Sequence, residues 1–368
     1  MSASLVLLNP TLAPPVHALR VPDERLRDSY GRAITDLRVS VTDRCNYRCV
    51  YCRTGNEGAQ YSELAHADYL RMIRIFVGLG IEKVRLTGGE PLLRAGLVDL
   101  VRDLAEIRCA FTPQGASTEA GPALDLALTT NGHLLEGLAA PLKAAGLSRV
   151  TVSMDAVDPE TFAAITRVPR SFDRVLAGVR AAGAAGLGPV KVNCVLLRGF
   201  NDSQIEAFAE FSRRENVIVR FIEWMPLEEP SQAPGSRTWN PATVVTLEEI
   251  TTRLNAWMPL VQLPPNAASE TARRYTFADG RGEIGIIAPV SRPFCGHCSR
   301  VRLTSDGKIR TCLFSQMDHD LFGRMQRGAS DEELAIYIRQ VVQGKEARHH
   351  IGEPGFEKPG RSMVHIGG

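Results

Sequence analysis

Between residues 33 and 225 the chain alternates short β-branched runs with longer amphipathic stretches. That alternation restricts the fold more than any other feature. The apolar runs are LRVSVT (37–42), KVRLTG (83–88), LALTTNG (126–132), RVTVSMDA (149–156), VKVNCVLL (190–197) and VIVRFIEWM (217–225). Stretches such as DYLRMIRIFVGLG (68–80) and SFDRVLAGVRAAGAAGLG (171–188) separate them and end in glycine, a common helix stop. Strands that alternate with helices pair in parallel, because each helix carries the chain back across the sheet. Six strands are too few for a closed eight-fold barrel, which leaves a partial (β/α)6 barrel of the TIM type or a doubly wound sheet. Thr87, Thr129 and Ser153 stand near the C-terminal ends of their runs, where barrel sites are built, and favour the α/β partial barrel.

Apolar residues make up 44% of the 368, enough for a full core, and the formal net charge of +2 is too mild to argue for nucleic acid. No run of eighteen apolar residues occurs, so no membrane span is expected. The opening MSASLVLLNPTLAPPVHALR has no basic segment ahead of its apolar run and fails as a secretory signal. Residues 1–29 read as a flexible arm and 30–227 as the barrel. The linker-like EEPSQAPGSRTWNPATVV (228–245) opens a C-terminal region that reaches residue 352, and EPGFEKPGRSMVHIGG (353–368) is a tail. The stretch 109–122 reads as a surface loop.

Six of the eight cysteines fall in two groups: Cys45, Cys49 and Cys52 in CNYRCVYC, and Cys295, Cys298 and Cys312 in CGHCSRVRLTSDGKIRTC. Cys109 and Cys194 stand apart and read as buried thiols. Clustered cysteines without an export signal point to a reducing, cytoplasmic setting, where they bind metal more often than they form disulfides. Structural zinc wants four closed ligands, and the first group has three with no fourth close in sequence. A [4Fe–4S] cluster normally takes four thiolates, so three leave one iron open. The second group also has three. With His297 as a fourth ligand it would make a closed zinc knuckle followed by an Asp-Gly hairpin, and the residues alone leave that reading open. Arg300 and Arg302 alternate on the strand after Cys298 and face the same way. Arg38, Lys83, Arg85 and Lys191 also lie on expected strands, where charges are rarely placed without a partner. Six basic groups facing one barrel interior suit a polyanion such as a triphosphate.

The CxxxCxxC pattern with Tyr51 before its third cysteine, followed by TGGEP (87–91), resembles the radical S-adenosylmethionine (SAM) enzymes. The resemblance implies that the open iron chelates SAM and that the reduced cluster cleaves it to a 5′-deoxyadenosyl radical. It implies SAM contacts at Tyr51, Gly89, Glu90, Ser153 and Met225. LRVSVTDRCNYRCVYC, VRLTGGEPLLR, LTTNG, VSMDA, VKVN, RFIEWM, the CxxC–x13–C element and the terminal IGG are together similar to the GTP 3′,8-cyclases of molybdenum cofactor biosynthesis, over residues 30 to 368. That likeness implies two [4Fe–4S] clusters, the second binding guanine. It implies GTP contacts at Arg38, Arg85, Thr129, Lys191, Arg300 and Arg302, and catalytic roles for Arg38, Arg300, Arg302 and the terminal Gly367 and Gly368. The implied reaction abstracts the ribose 3′ hydrogen and joins C3′ to C8 of guanine. An electron donor and a downstream pterin-forming protein are implied partners, and a homodimer is allowed. Arg53-Thr54-Gly55 stands where that family usually continues Met-Pro, which alters the loop beside the first cluster. Two rival readings are another radical SAM enzyme with an auxiliary cluster, such as a peptide maturase, and a zinc-stabilised binding protein without catalysis.

Overall fold

The computed structural model describes residues 24–52, 59–112, 116–118, 121–227 and 238–367. Residues 1–23 of the expected arm, Arg53-Thr54-Gly55, residues 228–237 and Gly368 lie outside the described residues. Six parallel strands form the centre: β1 (Asp36–Ser40), β2 (Lys83–Thr87), β3 (Asp125–Thr130), β4 (Arg149–Ser153), β5 (Lys191–Leu196) and β6 (Ile218–Glu223). They pair in sequence order. The crossovers carry α1 (His66–Gly78), α2 (Leu97–Ala105), α3 (Leu135–Ala144), α4 (Pro159–Thr166), α5 (Phe172–Ala184) and α6 (Ile205–Arg214). All six expected strands form.

The two hydrophobic periods explain how these layers meet. In α1, Tyr69, Met72, Ile73, Phe76 and Val77 form a buried stripe at helical spacing, which buried Ile75 widens. In β1, Leu37 and Val39 join the same core, and Arg38 between them points to the opposite face, the interior of the partial barrel.

After residue 238 the chain adds α7 (Leu247–Trp257), β7 (Leu260–Leu263), β8 (Arg273–Phe277), β9 (Glu283–Ile287), β10 (Arg300–Leu303), β11 (Lys308–Arg310) and β12 (His319–Asp320). It closes with α8 (Leu321–Gln326), α9 (Asp331–Gln343) and α10 (Met363–Ile366). These later strands form no sheet of their own. Strand β9 lies parallel to β6 and leads outward to β8 and β7, whereas β10 lies parallel to β1 and leads outward to β11 and β12. The result is one open twelve-stranded sheet, a partial barrel extended at both edges. Glu223, fully buried at the end of β6, ties the two regions together. Its carboxylate accepts from the backbone N–H groups of Leu247 (2.9 Å), Val290 (2.9 Å) and Ser291 (2.8 Å).

Two expectations about loops are refined. Residues 109–122 are not wholly a surface loop, because Cys109 and Phe111 are drawn into the interior by their apolar character. The expected arm 1–29 is corrected at its end: Leu26, inside it, is buried by its apolar character, and its N–H donates to the Leu79 carbonyl at 2.8 Å, so residues 24–29 pack on the barrel. Cys109 and Cys194 are buried thiols, as expected. No helix among the described residues is long and apolar enough to cross a membrane.

Candidate active site

All six clustered cysteines line one cavity of about 690 Å³ inside the sheet. Cys45, Cys49 and Cys52 follow the C-terminal end of β1. Cys295 and Cys298 precede β10, which runs parallel to β1, and Cys312 follows β11, which runs antiparallel to β10. The two groups therefore sit at opposite ends of the cavity, separated by about the length of β1, roughly 16 Å at 3.3 Å per residue.

Between them lies a row of cations set by strand register. Arg38 is paired laterally with Arg302 on one side and with Arg85 on the other. Nine basic side chains line the cavity against three acidic ones, Asp36, Asp155 and Glu270. Burial, then Arg300 and Arg85, lowers Arg38 to about 9. Burial, then Arg220 and Arg149, lowers Arg85 to about 10. Lys191 falls to about 8 through burial and then Arg220. Arg302 is driven well below its usual range by burial, Arg38 and Arg300. Several of these groups meet only neutral acceptors. Arg85 donates to Thr129 Oγ1 (3.2 Å) and Thr151 Oγ1 (3.3 Å), and Arg220 donates to Asn193 Oδ1 (2.9 Å). Like charges packed side by side disfavour their own ionised forms, and a polyanion in the cavity removes that penalty.

At the first-cysteine end the glycines of TGGEP admit neighbouring backbone. Gly89 N–H donates to the Thr42 carbonyl (2.8 Å) and Glu90 N–H to that of Arg44 (2.7 Å). A Cβ on Gly89 would lie 2.3 Å from the Arg44 oxygen, so no larger residue lets the two loops meet. Tyr51, Gly89, Ser153 and Met225 line the cavity. Glu90 does not. Its buried carboxylate accepts from Thr130 Oγ1 (2.6 Å), Asn131 N–H (2.6 Å) and Leu92 N–H (3.0 Å), and burial raises it to about 7 despite them. The Tyr51 hydroxyl donates to Asp155 (2.6 Å), whose other oxygen accepts from Val195 N–H (2.8 Å). Burial lifts Asp155 to about 6.

At the other end Arg300 donates to Cys298 Sγ at 3.4 Å. Burial raises the Cys298 thiol, but Arg300 and Lys345 outweigh it and bring it to about 7. Arg300, Arg302, Thr129 and Lys191 all line the cavity. The tail reaches Arg302, which donates to the Gly367 carbonyl. Gly367 itself is not among the lining residues, and it holds φ +80° against Ser40 and Thr87.

The donor set suits clusters and not zinc. His297 is exposed and does not line the cavity, so it closes no knuckle with Cys295, Cys298 and Cys312. Among the described residues no three His, Cys, Asp or Glu side chains converge to hold one metal ion. A cubane takes its thiolates wider apart than a single ion does, because each binds its own iron. All six thiols are free of disulfides.

Arg149, Arg220, Asp155 and Lys345 escaped the sequence reading. The rule that selected Lys83 and Lys191, a charge on an expected strand, selects Arg149 and Arg220 equally well. Lys345 carried no such signal.

Residues 39–212 match the radical SAM superfamily and residues 217–351 match Molybdenum Cofactor Synthesis C. The fold is similar to that of Streptococcus suis SuiB. With S-adenosylmethionine bound, that structure gives a TM-score of 0.58 at 13% identity over 86% of this chain and 68% of that one. With the precursor peptide SuiA the score is 0.60 at 13% identity, over 86% and 67%. At that identity the likeness is one of fold. An open parallel sheet with a three-cysteine loop after its first strand is the architecture of a radical SAM enzyme, a class whose members carry a [4Fe–4S] cluster and SAM. Three relatives are GTP 3′,8-cyclases. That of Acidothermus cellulolyticus is 44% identical over 80% of this chain and 78% of its own. That of Corynebacterium glutamicum is 41% identical over 100% and 94%, and that of Moorella thermoacetica 41% over 93% and 100%. The chain belongs to the GTP 3′,8-cyclase family.

Proposed function

We propose that this chain converts GTP to (8S)-3′,8-cyclo-7,8-dihydroguanosine 5′-triphosphate, the first step of molybdenum cofactor biosynthesis. One observation carries the reading: two three-thiolate groups face each other across a cavity with a surplus of buried cations between them. When bound, the clusters and SAM supply hydrogen-atom abstraction at one end and an open iron for a base at the other. Cys45, Cys49 and Cys52 would hold the first cluster and Cys295, Cys298 and Cys312 the second. Tyr51, Gly89, Ser153 and Met225 line the SAM end. Glu90 acts behind them by holding Thr130 and Asn131 in place.

Arg38, Arg85, Lys191 and Arg220 neutralise the triphosphate, with Thr129 orienting Arg85. Arg300 and Arg302 sit nearest the base end. The Gly367 carbonyl, seated against Ser40 and Thr87 at the opposite end of β1, aims the Arg302 guanidinium. The enzyme works in the cytoplasm with an electron donor for the first cluster and a pterin-forming protein for its product, and a homodimer is compatible with this reading.

The test is anaerobic purification, iron and sulfide reconstitution, reduction, and addition of SAM with and without GTP. The expected result is 5′-deoxyadenosine that rises with GTP, together with a GTP isomer of unchanged mass. SAM cleavage indifferent to GTP sinks the substrate assignment.

A further inference from the structure

Lys345 is a buried lysine at the cluster end of the cavity, and the reading so far gives it no task. It follows α9, is 4% exposed and lines the cavity together with Cys295, Cys298 and Cys312. Its ammonium donates to the carbonyl of Thr311, the residue before Cys312. An ammonium has three donors, and among the described residues no carboxylate pairs with this one. A buried cation is costly unless a negative group faces it.

The surrounding backbone shows that this placement is built. Thr311 Oγ1 donates to the Glu346 carboxylate at 2.7 Å. Arg32, oriented by Asp28 at 2.6 Å, donates to the carbonyls of Cys295 (2.8 Å), Glu346 (2.6 Å) and Ala347 (2.8 Å). One guanidinium thus binds the cysteine knuckle and the residues after Lys345 into one unit.

We infer that Lys345 is a positioning residue for the second cluster: a fixed cation that aims its remaining N–H donors at the cluster's sulfurs and raises the cluster's reduction potential. The inference rests on the reading of Cys295, Cys298 and Cys312 as cluster ligands. A cluster becomes more negative on reduction, so a fixed neighbouring cation and N–H···S bonds favour the reduced form. Arg300 also reaches Cys298, but it belongs to the cation row that substrate engages. Lys345 stands outside that row, on a separate segment pinned by Arg32.

The experiment compares the reconstituted wild-type holoenzyme with Lys345→Met and Lys345→Arg, by iron and sulfide content and by EPR-monitored redox titration without GTP. Cys312→Ser identifies which signal belongs to the second cluster. In Lys345→Met the second-cluster midpoint should move to more negative potential while the first stays in place, and Lys345→Arg should restore it. Loss of the second cluster in Lys345→Met but not in Lys345→Arg also supports a required charge. Two clusters with unchanged midpoints in Lys345→Met overturn the inference alone, as does loss of the second cluster in both variants, which marks a packing role. A wild-type chain with one cluster overturns the ligand reading and the inference with it.

Discussion

Gly367→Ala should release the C-terminal tail from the sheet without unfolding it. Gly367 has φ +80°, and an alanine Cβ there would lie 2.7 Å from Thr87 Oγ1 and 3.1 Å from Ser40 Cβ. The left-handed backbone costs an alanine about 1–2 kcal/mol. Thr87 and Ser40 belong to central strands and cannot yield, so the crowding adds about 1–3 kcal/mol. The sum of about 2–5 kcal/mol lowers the docked-to-released ratio by roughly 30-fold at the least and several-thousand-fold at the most. The tail is also held by buried Val364 and Ile366 and by Arg361, which bonds Asp306 at 2.8 Å, pairs with Asp318 and stacks over Tyr61. Those contacts leave the Arg361 side chain only 10% exposed and shield the bond after it from trypsin. Cleavage after Arg361, followed by mass spectrometry under native conditions, should accelerate at least about 30-fold, since it tracks the open population. The thermal midpoint should hold, and cyclase turnover should fall in step as Arg302 loses its carbonyl partner. Unchanged cleavage and unchanged turnover would refute the seating of Gly367 against β1 and β2.

Arg220→Met should weaken GTP binding about 10- to 150-fold, the equivalent of one charged hydrogen bond of about 1.5–3 kcal/mol, read by anaerobic calorimetry. An unchanged dissociation constant removes Arg220 from the phosphate site. Lys191 titrates at about 8, so its ammonium is lost from the empty site as pH rises through that value. GTP affinity should therefore decline above pH 8, and Lys191→Arg should flatten the decline; a profile identical in both proteins contradicts the assignment. Cys312→Ser should retain about half the iron and sulfide and still cleave SAM, with no cyclised GTP formed. Full iron content in that variant would mean that Cys312 is not a ligand.

Glu90 shows how the tertiary neighbours of a local motif decide what its side chain meets. TGGEP stands at the end of β2 as expected, and its glycines are needed there. The family resemblance implies a SAM contact at Glu90. In the fold β3 lies next to β2, and its end offers Thr130 and Asn131 as donors at 2.6 Å. They hold the carboxylate away from the cavity lining. His297 fails in the opposite sense: it lies between two cysteines in sequence, yet a short turn at 295–297 leaves it exposed.

What the residues determined by themselves is whatever depends on near neighbours along the chain. The CxxxCxxC and CxxC spacings, the alternation that makes six strands, and the Asp-Gly hairpin between β10 and β11 are all short-range, so period and covalent spacing carried them. The cation row is different. Arg38 meets Arg302 because β10 pairs with β1, although more than 250 residues separate them. A six-stranded sheet leaves two edges of unpaired N–H and C=O groups, and later strands must cover both. Which strand covers which edge, and in what register, is settled by packing across the whole molecule. That choice turned scattered basic residues into one pocket and set two cysteine groups at its opposite ends. It also buried Lys345 beside the second group, where nothing in its local sequence had marked it.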